Sequence, residues 1–191
     1  MKKKILYIAV VVICLSLITS GTLAYFTAED TARNVITSGG IDIEVVEQQL
    51  VDGTLQPYPD QPIPVMPATT VSKVVSVKST EQAAWIRVNY TVTVYDADEK
   101  ILEVPAEELN KVIVIAPNTA NWMLKDGWWY YDTAVKAGEM TTPLFEQVAF
   151  SGPDMDNKYQ NCTVVIDVTA QAVQQANNGD TVMEAAGWSE N

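Results

Sequence analysis

The amino-acid sequence predicts an all-β fold, an antiparallel β-sandwich or jelly roll carrying one or two short helices and preceded by an N-terminal signal helix. Three observations lead there. Apolar and polar residues alternate with period two in several separate stretches, turn residues punctuate those stretches, and no segment is long enough for the helices that parallel crossovers require.

Ile41 to Gln48 reads IDIEVVEQ, a strand with one apolar face and one acidic face. From Thr54 to Ala68 the chain carries five of its nine prolines, which excludes a helix or a central strand and predicts a long surface loop or edge. Val71 to Lys78 resumes the β pattern, and Ser79 to Gln82 supplies a turn. Ala84 to Tyr95 is the clearest strand. There Ile86, Val88, Tyr90, Val92 and Val94 share one face while Arg87, Asn89, Thr91 and Thr93 share the other. Pro105 followed by Glu107 and Glu108 suits the first turn of a short helix, because proline fixes a helical φ and acids favour the positive helix end. Lys111 to Ile115 reads as a strand, as do Trp128 to Tyr131, after the turn pair Asp126-Gly127, and Leu144 to Phe150, after the turn at Lys136 to Glu139. Cys162 to Ala172 is a long late strand with Cys162, Val164, Ile166, Val168, Ala170 and Ala172 on one face. Thr181 and Glu184 have the spacing of a capping box, predicting a second short helix that Gly187 ends.

Ahead of this domain stands an export segment. Lys2, Lys3 and Lys4 precede an uncharged run from Ile5 to Thr19, and Thr22-Leu23-Ala24 places small residues where a signal peptidase requires them. The expected organisation is a signal peptide over 1–24 cut between Ala24 and Tyr25, a mature N-terminal segment over 25–40, and a sandwich over 41–191. The competing expectation is an uncleaved anchor, since Ile5 to Phe26 nearly reaches the roughly 20 residues that span a bilayer. Cys14 lies inside the apolar run behind Ile13, where a lipid-attachment signal needs a small residue, which argues against lipidation.

All 24 acidic residues lie beyond Ala24 and three of the 12 basic ones lie before it, so the mature chain carries 9 minus 24, or −15. Such a surface repels nucleic acid and anionic lipid, so no nucleic-acid partner is expected, and membrane contact is confined to the signal segment before cleavage. Cys162 alone of the two cysteines survives cleavage, which excludes an intramolecular disulfide.

The chain contains no histidine. Zinc hydrolases bind their metal largely through imidazoles, and the Ser-His-Asp and Cys-His nucleophilic schemes also depend on that ring. The remaining acid pairs, Glu107-Glu108 and Asp154-x-Asp156, sit in loop-like contexts of an acidic protein, where solvated carboxylates are the ordinary state. No catalytic residue, no cofactor and no enzyme activity is therefore expected. Asp154, Asp156 and Asn157 supply oxygens suited to calcium, a weak candidate lacking the turn glycine and distal glutamate of an EF-hand. Trp128, Trp129, Tyr130 and Tyr131 are the aromatic binding candidates. In a strand they divide between two faces, giving either an exposed pair suited to glycan or a subunit, or a quartet covered on both sides.

The stretch GTLAYFTAEDTARNVITSGGIDIEV, Gly21 to Val45, resembles the start of exported proteins of the TasA and camelysin family, which carry signal peptides of the SipW type. The shared elements are the small-residue site at Ala24, the aromatic pair Tyr25-Phe26, and Asn34-Val35-Ile36-Thr37-Ser38-Gly39-Gly40 before the first alternating strand. The resemblance implies a jelly-roll domain displayed at the cell surface of a Gram-positive bacterium. For some members it implies assembly into biofilm matrix fibres through an N-terminal donor strand. The donor here would lie within Tyr25 to Gly40, with Tyr25, Phe26, Val35 and Ile36 as anchoring side chains. The expected function is thus a secreted surface or extracellular-matrix structural protein that self-associates, with signal peptidase and other matrix proteins or glycans as partners. The alternatives are a monomeric module binding glycan or host protein and, from the family's other name, a camelysin-like metallopeptidase.

Overall fold

The computed structural model describes residues 41–59 and 66–189 in full and residues 34–37 in their backbone. Two five-stranded sheets enclose one core, so the all-β sandwich expected from the alternation is present. The first sheet has the order β1 (Asn34–Thr37), β10 (Thr163–Gln174), β5 (Ala84–Tyr95), β8 (Trp128–Tyr131), β7 (Trp122–Lys125). The second has the order β3 (Thr54–Pro57), β2 (Ile43–Val51), β4 (Thr70–Ser79), β9 (Phe145–Phe150), β6 (Ile113–Ile115). Every pairing is antiparallel except that of β1 with β10.

The two clearest alternating stretches form the backbone of the first sheet. β5 and β10 pair along their full length, from Ala84 opposite Gln174 to Tyr95 opposite Thr163. Because side chains alternate, Ile86, Val88 and Val94 of β5 and Ile166, Val168, Ala170 and Ala172 of β10 all enter the core. They meet Ile43 and Val45 of β2, Val75 and Val77 of β4, and Phe145, Val148 and Phe150 of β9. Each large side chain so buried is worth about 1.5–3 kcal/mol. The ring of Tyr90 meets that of Phe145 edge-on at 5.4 Å, tying the two sheets together.

Two hairpins close on aspartate-glycine pairs. Asp52 and Gly53 have φ of 50° and 78°, Asp126 and Gly127 have 50° and 79°, and two successive left-handed residues are what a type I′ turn needs to match strand twist. The first joins β2 to β3 and the second joins β7 to β8.

Several boundaries differ from the sequence-based expectation. The helix α1 (Ala106–Val112) starts after Pro105 as expected but continues into residues read as strand, leaving only Ile113–Ile115 extended. Glu107 and Lys111 pair across one helical turn at 3.2 Å, which favours that continuation. Pro57 sits at the end of an edge strand, β3, where a missing N–H costs no ladder bond. The late strand begins at Thr163, one residue after Cys162, and runs on to Gln174. The helix expected at 181–187 is not formed. The Asp180 amide does donate to Glu184 Oε2 at 3.1 Å, but the chain makes a single turn there, because Val182 is drawn down onto the first sheet.

Candidate functional site at the β1 edge and the outer face of the first sheet

β1 is the only described strand from the N-terminal segment, and it occupies an edge. Asn34, Val35, Ile36 and Thr37 align with Thr169, Ala170, Gln171 and Ala172 of β10 in parallel register. Thr163 to Val168 of β10 have β5 on one side and, among the described residues, no strand on the other. A strand edge presents unpaired N–H and C=O groups, so another extended segment can add here, as it can at the opposite edge, β7. Of the assembly residues expected from sequence, Val35 and Ile36 lie in β1, while Tyr25 and Phe26 lie outside the described residues. The cleavage pair Ala24-Tyr25 lies outside them too.

Behind β10 and β5, the outer face of the first sheet is closed by the chain's own C-terminal segment. Trp85, Tyr130, Val173 and Val182 form a second apolar cluster, with Trp128, Met183 and Trp188 packed against it. Trp85 Nε1 donates to the Asn178 carbonyl at 3.0 Å, and Asn178 in turn exchanges side-chain hydrogen bonds with the Ala186 backbone at 2.9 and 3.0 Å. These bonds hold the segment as a clasp.

Arg87 is at the centre of the clasp. Its guanidinium carbon lies 4.3 Å from the Trp128 ring centroid and 4.8 Å from that of Trp188. The same group donates to Gln171 Oε1, to the Tyr130 hydroxyl at 3.0 Å and to the Ser189 carbonyl at 3.0 Å. Among the described residues no carboxylate pairs with it. In a protein of net charge −12, this cation is matched by aromatic faces and neutral carbonyls.

The four aromatic binding candidates are therefore not an exposed platform. Trp129 and Tyr131 pack against the core between the sheets, and Trp128 and Tyr130 lie under the clasp. Alternation along β8 divides the quartet as expected; Tyr130 is buried, and Trp128, Trp129 and Tyr131 are half-buried.

Of the calcium candidates, the two aspartates are engaged locally, while Asn157 contributes only its backbone carbonyl, which accepts from the Gln160 amide at 3.2 Å. Asp154 Oδ2 accepts from the Ser151 hydroxyl at 2.6 Å, and Asp156 Oδ1 accepts from the Lys158 amide at 2.9 Å, capping a short 3-10 turn over Asn157–Tyr159. Beside them Glu108 of α1 pairs with Lys158 and accepts from the Tyr159 hydroxyl at 2.7 Å. The Lys158 bond, with that of Tyr159, holds the Glu108 carboxyl below its usual range, while burial first and then Glu108 push the Tyr159 phenol well up. Burial also pushes up the Cys162 thiol, whose Sγ donates to the Lys158 carbonyl at 3.3 Å.

Sequence reasoning passed over two charged residues whose environments are unusual. One is Arg87, which an alternation pattern marks only as outward. The other is Lys73, which is 6% exposed and pairs at 2.9 Å with Glu47, 4% exposed, under the ring of Tyr58. Both require knowledge of what covers the sheet, which no local pattern supplies.

These features define the class, an all-β sandwich with an N-terminal edge strand and a C-terminal clasp. Residues 1–58 match the family model of the camelysin metallo-endopeptidase, a span that includes the Gly21 to Val45 stretch on which the resemblance to TasA and camelysin rests. No curated protein matches the chain, and neither does any solved structure. The residues present do not fit the metal that the family's description implies. The chain has no imidazole, and among the described residues no three histidine, cysteine, aspartate or glutamate side chains gather at one point.

Proposed function

We propose that the protein is a secreted structural component of the cell surface or extracellular matrix, acting by binding and assembling through its N-terminal strand. The observation that carries this reading is the position of β1. It is a four-residue strand at a sheet edge, held to β10 by one short ladder. A strand from a second copy can make the same backbone bonds with β10, so exchange replaces each lost bond with an equivalent one. Repeated head-to-tail, a contact of this kind does not close and produces a filament.

Processing supplies the control. While residues 1–24 remain attached, the segment is tethered to the membrane; cleavage after Ala24 frees the residues from Tyr25 to Gly40. The acidic surface suits a soluble exported subunit that polymerises through backbone pairing and not through nonspecific adhesion. A chain without imidazole favours a structural role over peptidase activity.

The test is electron microscopy and sedimentation of the secreted chain beginning at Tyr25. The intact chain is expected to form filaments at high concentration. Deleting Tyr25 to Thr37, which removes β1 with the segment before it, is expected to abolish them while leaving one cooperative melt. If the truncated chain polymerises as well as the intact one, or the intact one never polymerises, strand exchange is wrong and a monomeric surface module for glycan or host protein becomes the better account. N-terminal sequencing of the secreted form checks the cut at Ala24. Incubation with casein, with and without zinc, checks the absence of peptidase activity.

A further inference from the structure

Away from β1, the loop that carries the 3-10 turn forms one wall of a groove of about 350 Å³, at the lower end of the range usual for small-ligand sites. Its polar lining is Asp156, Asn157, Gln160 and Asn161, and its apolar lining is Pro67, Met155 and Tyr159. Asn157, Gln160 and Asn161 are exposed, and their side-chain amides form no hydrogen bond with any described residue, so three residues that can both donate and accept line one small space.

Both walls are built in advance. On one, Asp156 caps the Lys158 amide, the Gln160 backbone amide donates to the Asn157 carbonyl at 3.2 Å, and the Cys162 backbone amide donates to the Tyr159 carbonyl at 3.2 Å. Asn161 follows in the left-handed region at φ 60°, which turns its side chain out of the strand direction. On the other wall, the Thr69 hydroxyl donates to the Met66 carbonyl and the Thr69 carbonyl accepts from the Phe150 amide at 2.8 Å. Gly152 packs so closely on Ala68 that a Cβ there would lie 3.0 Å from the Ala68 Cβ. The backbone of both walls is therefore set before a ligand arrives, and binding has only the side-chain amides left to order.

The geometry points to a neutral saccharide as the ligand, a binding role that goes beyond assembly through β1. Such amides with one carboxylate match the paired donor and acceptor character of vicinal hydroxyls, and Met155 and Pro67 offer apolar surface to the C–H face of a sugar ring. The groove lining holds a carboxylate and no basic residue, and Lys158 beside it pairs with Glu108, which disfavours an anionic ligand in a protein of net charge −12.

The experiment is titration of the ¹⁵N-labelled secreted chain with chitotriose, cellotriose and maltotriose, each at millimolar concentration, followed by amide shifts. At least one is expected to move resonances at 155–161 and 66–69 and to leave those around Trp128 in place. Gln160→Ala and Asn161→Gly are each expected to weaken that binding about tenfold, the factor carried by one hydrogen bond of ordinary strength, without changing the melt. Glycine retains the positive φ at 161, so loss of affinity there reports the amide and not the backbone. The proposal is overturned by a flat titration with all three sugars, by shifts confined to another surface, or by binding that both variants retain. The titration is run below the protein concentration at which filaments form, so its outcome is read apart from assembly through β1.

Discussion

Arg87 on β5 donates twice to the side-chain carbonyl of Gln171, its direct neighbour across the β10 ladder, at 3.0 and 2.7 Å. Gln171 is 1% exposed, so a face covered by the clasp has taken in a polar pair, and a fork of donors satisfies the Gln171 carbonyl. Arg87→Ala is expected to destabilise the domain by about 2–4 kcal/mol, from the charged hydrogen bonds lost to Gln171, Tyr130 and Ser189 and the lost cation–π contacts. Arg87→Lys is expected to recover less than half of that, because an ammonium cannot reproduce the planar fork or stack on Trp128. Urea melts of the two variants check this ordering; an Arg87→Lys variant as stable as the parent protein would refute it.

The parts of the fold that could be read in sequence are those where the pattern is long and the cause is local. Ala84 to Tyr95 and Cys162 to Ala172 alternate over many residues because one face meets the core, and they became β5 and β10 nearly residue for residue. Trp122 to Lys125 carries no alternation over its four residues and was invisible as β7, although the Asp126-Gly127 turn beside it was not. The same turn chemistry at Asp52-Gly53 could have revealed β3 had the prolines after it not argued for a loop. The fate of Trp128 and Tyr130 was undecidable locally. Alternation says they share a face, while only the C-terminal segment, from much later in the chain, decides whether that face is wet.

That clasp makes a second prediction. Trp188 meets Tyr130 edge-on at 5.7 Å and stacks on Arg87, and its indole N–H donates to the Ala185 carbonyl at 3.0 Å. Trp188→Ala is expected to cost about 2 kcal/mol, from lost burial and ring contacts, and to expose Trp85 and Trp128 to solvent. A red-shifted tryptophan emission with faster acrylamide quenching of the folded protein is the observable. If emission is unchanged, the clasp is not what covers the outer face.

The pair between Lys73 and Glu47 behaves differently, because both charges have been taken out of water. Removing the cation leaves the buried Glu47 carboxylate without its ammonium, so Lys73→Met is expected to destabilise by about 3–5 kcal/mol, and Glu47→Gln is expected to cost less, because the Lys73 ammonium keeps the Tyr58 ring. Replacing both, as Lys73→Met with Glu47→Leu, is expected to restore most of the loss, since the desolvation cost disappears with the attraction. A double-mutant cycle in urea measures the coupling, and a double variant as unstable as the sum of the singles would count against this account.

Alkaline titration isolates the cluster of Tyr159, Glu108 and Lys158. Burial and the bond to Glu108 raise the Tyr159 phenol above its ordinary value of 10.0 in the folded chain. Between the unfolded and the folded value the native state binds more protons than the unfolded state, so stability falls as pH rises through that window. The contribution is complete below about pH 10 and is lost progressively above it. Lys158, also raised through its bond to Glu108, acts in the same direction. Glu108, lowered by the same partners, acts at the opposite end: its contribution is lost as pH falls through its folded value. Tyr159→Phe is expected to lower stability at neutral pH by roughly one hydrogen bond, about 1 kcal/mol, because Glu108 keeps Lys158 as a partner. Above about pH 10 the variant's stability is expected to decline less steeply than that of the parent, so the two curves converge. Parallel pH profiles would show that the phenol is not held in its protonated form by the fold.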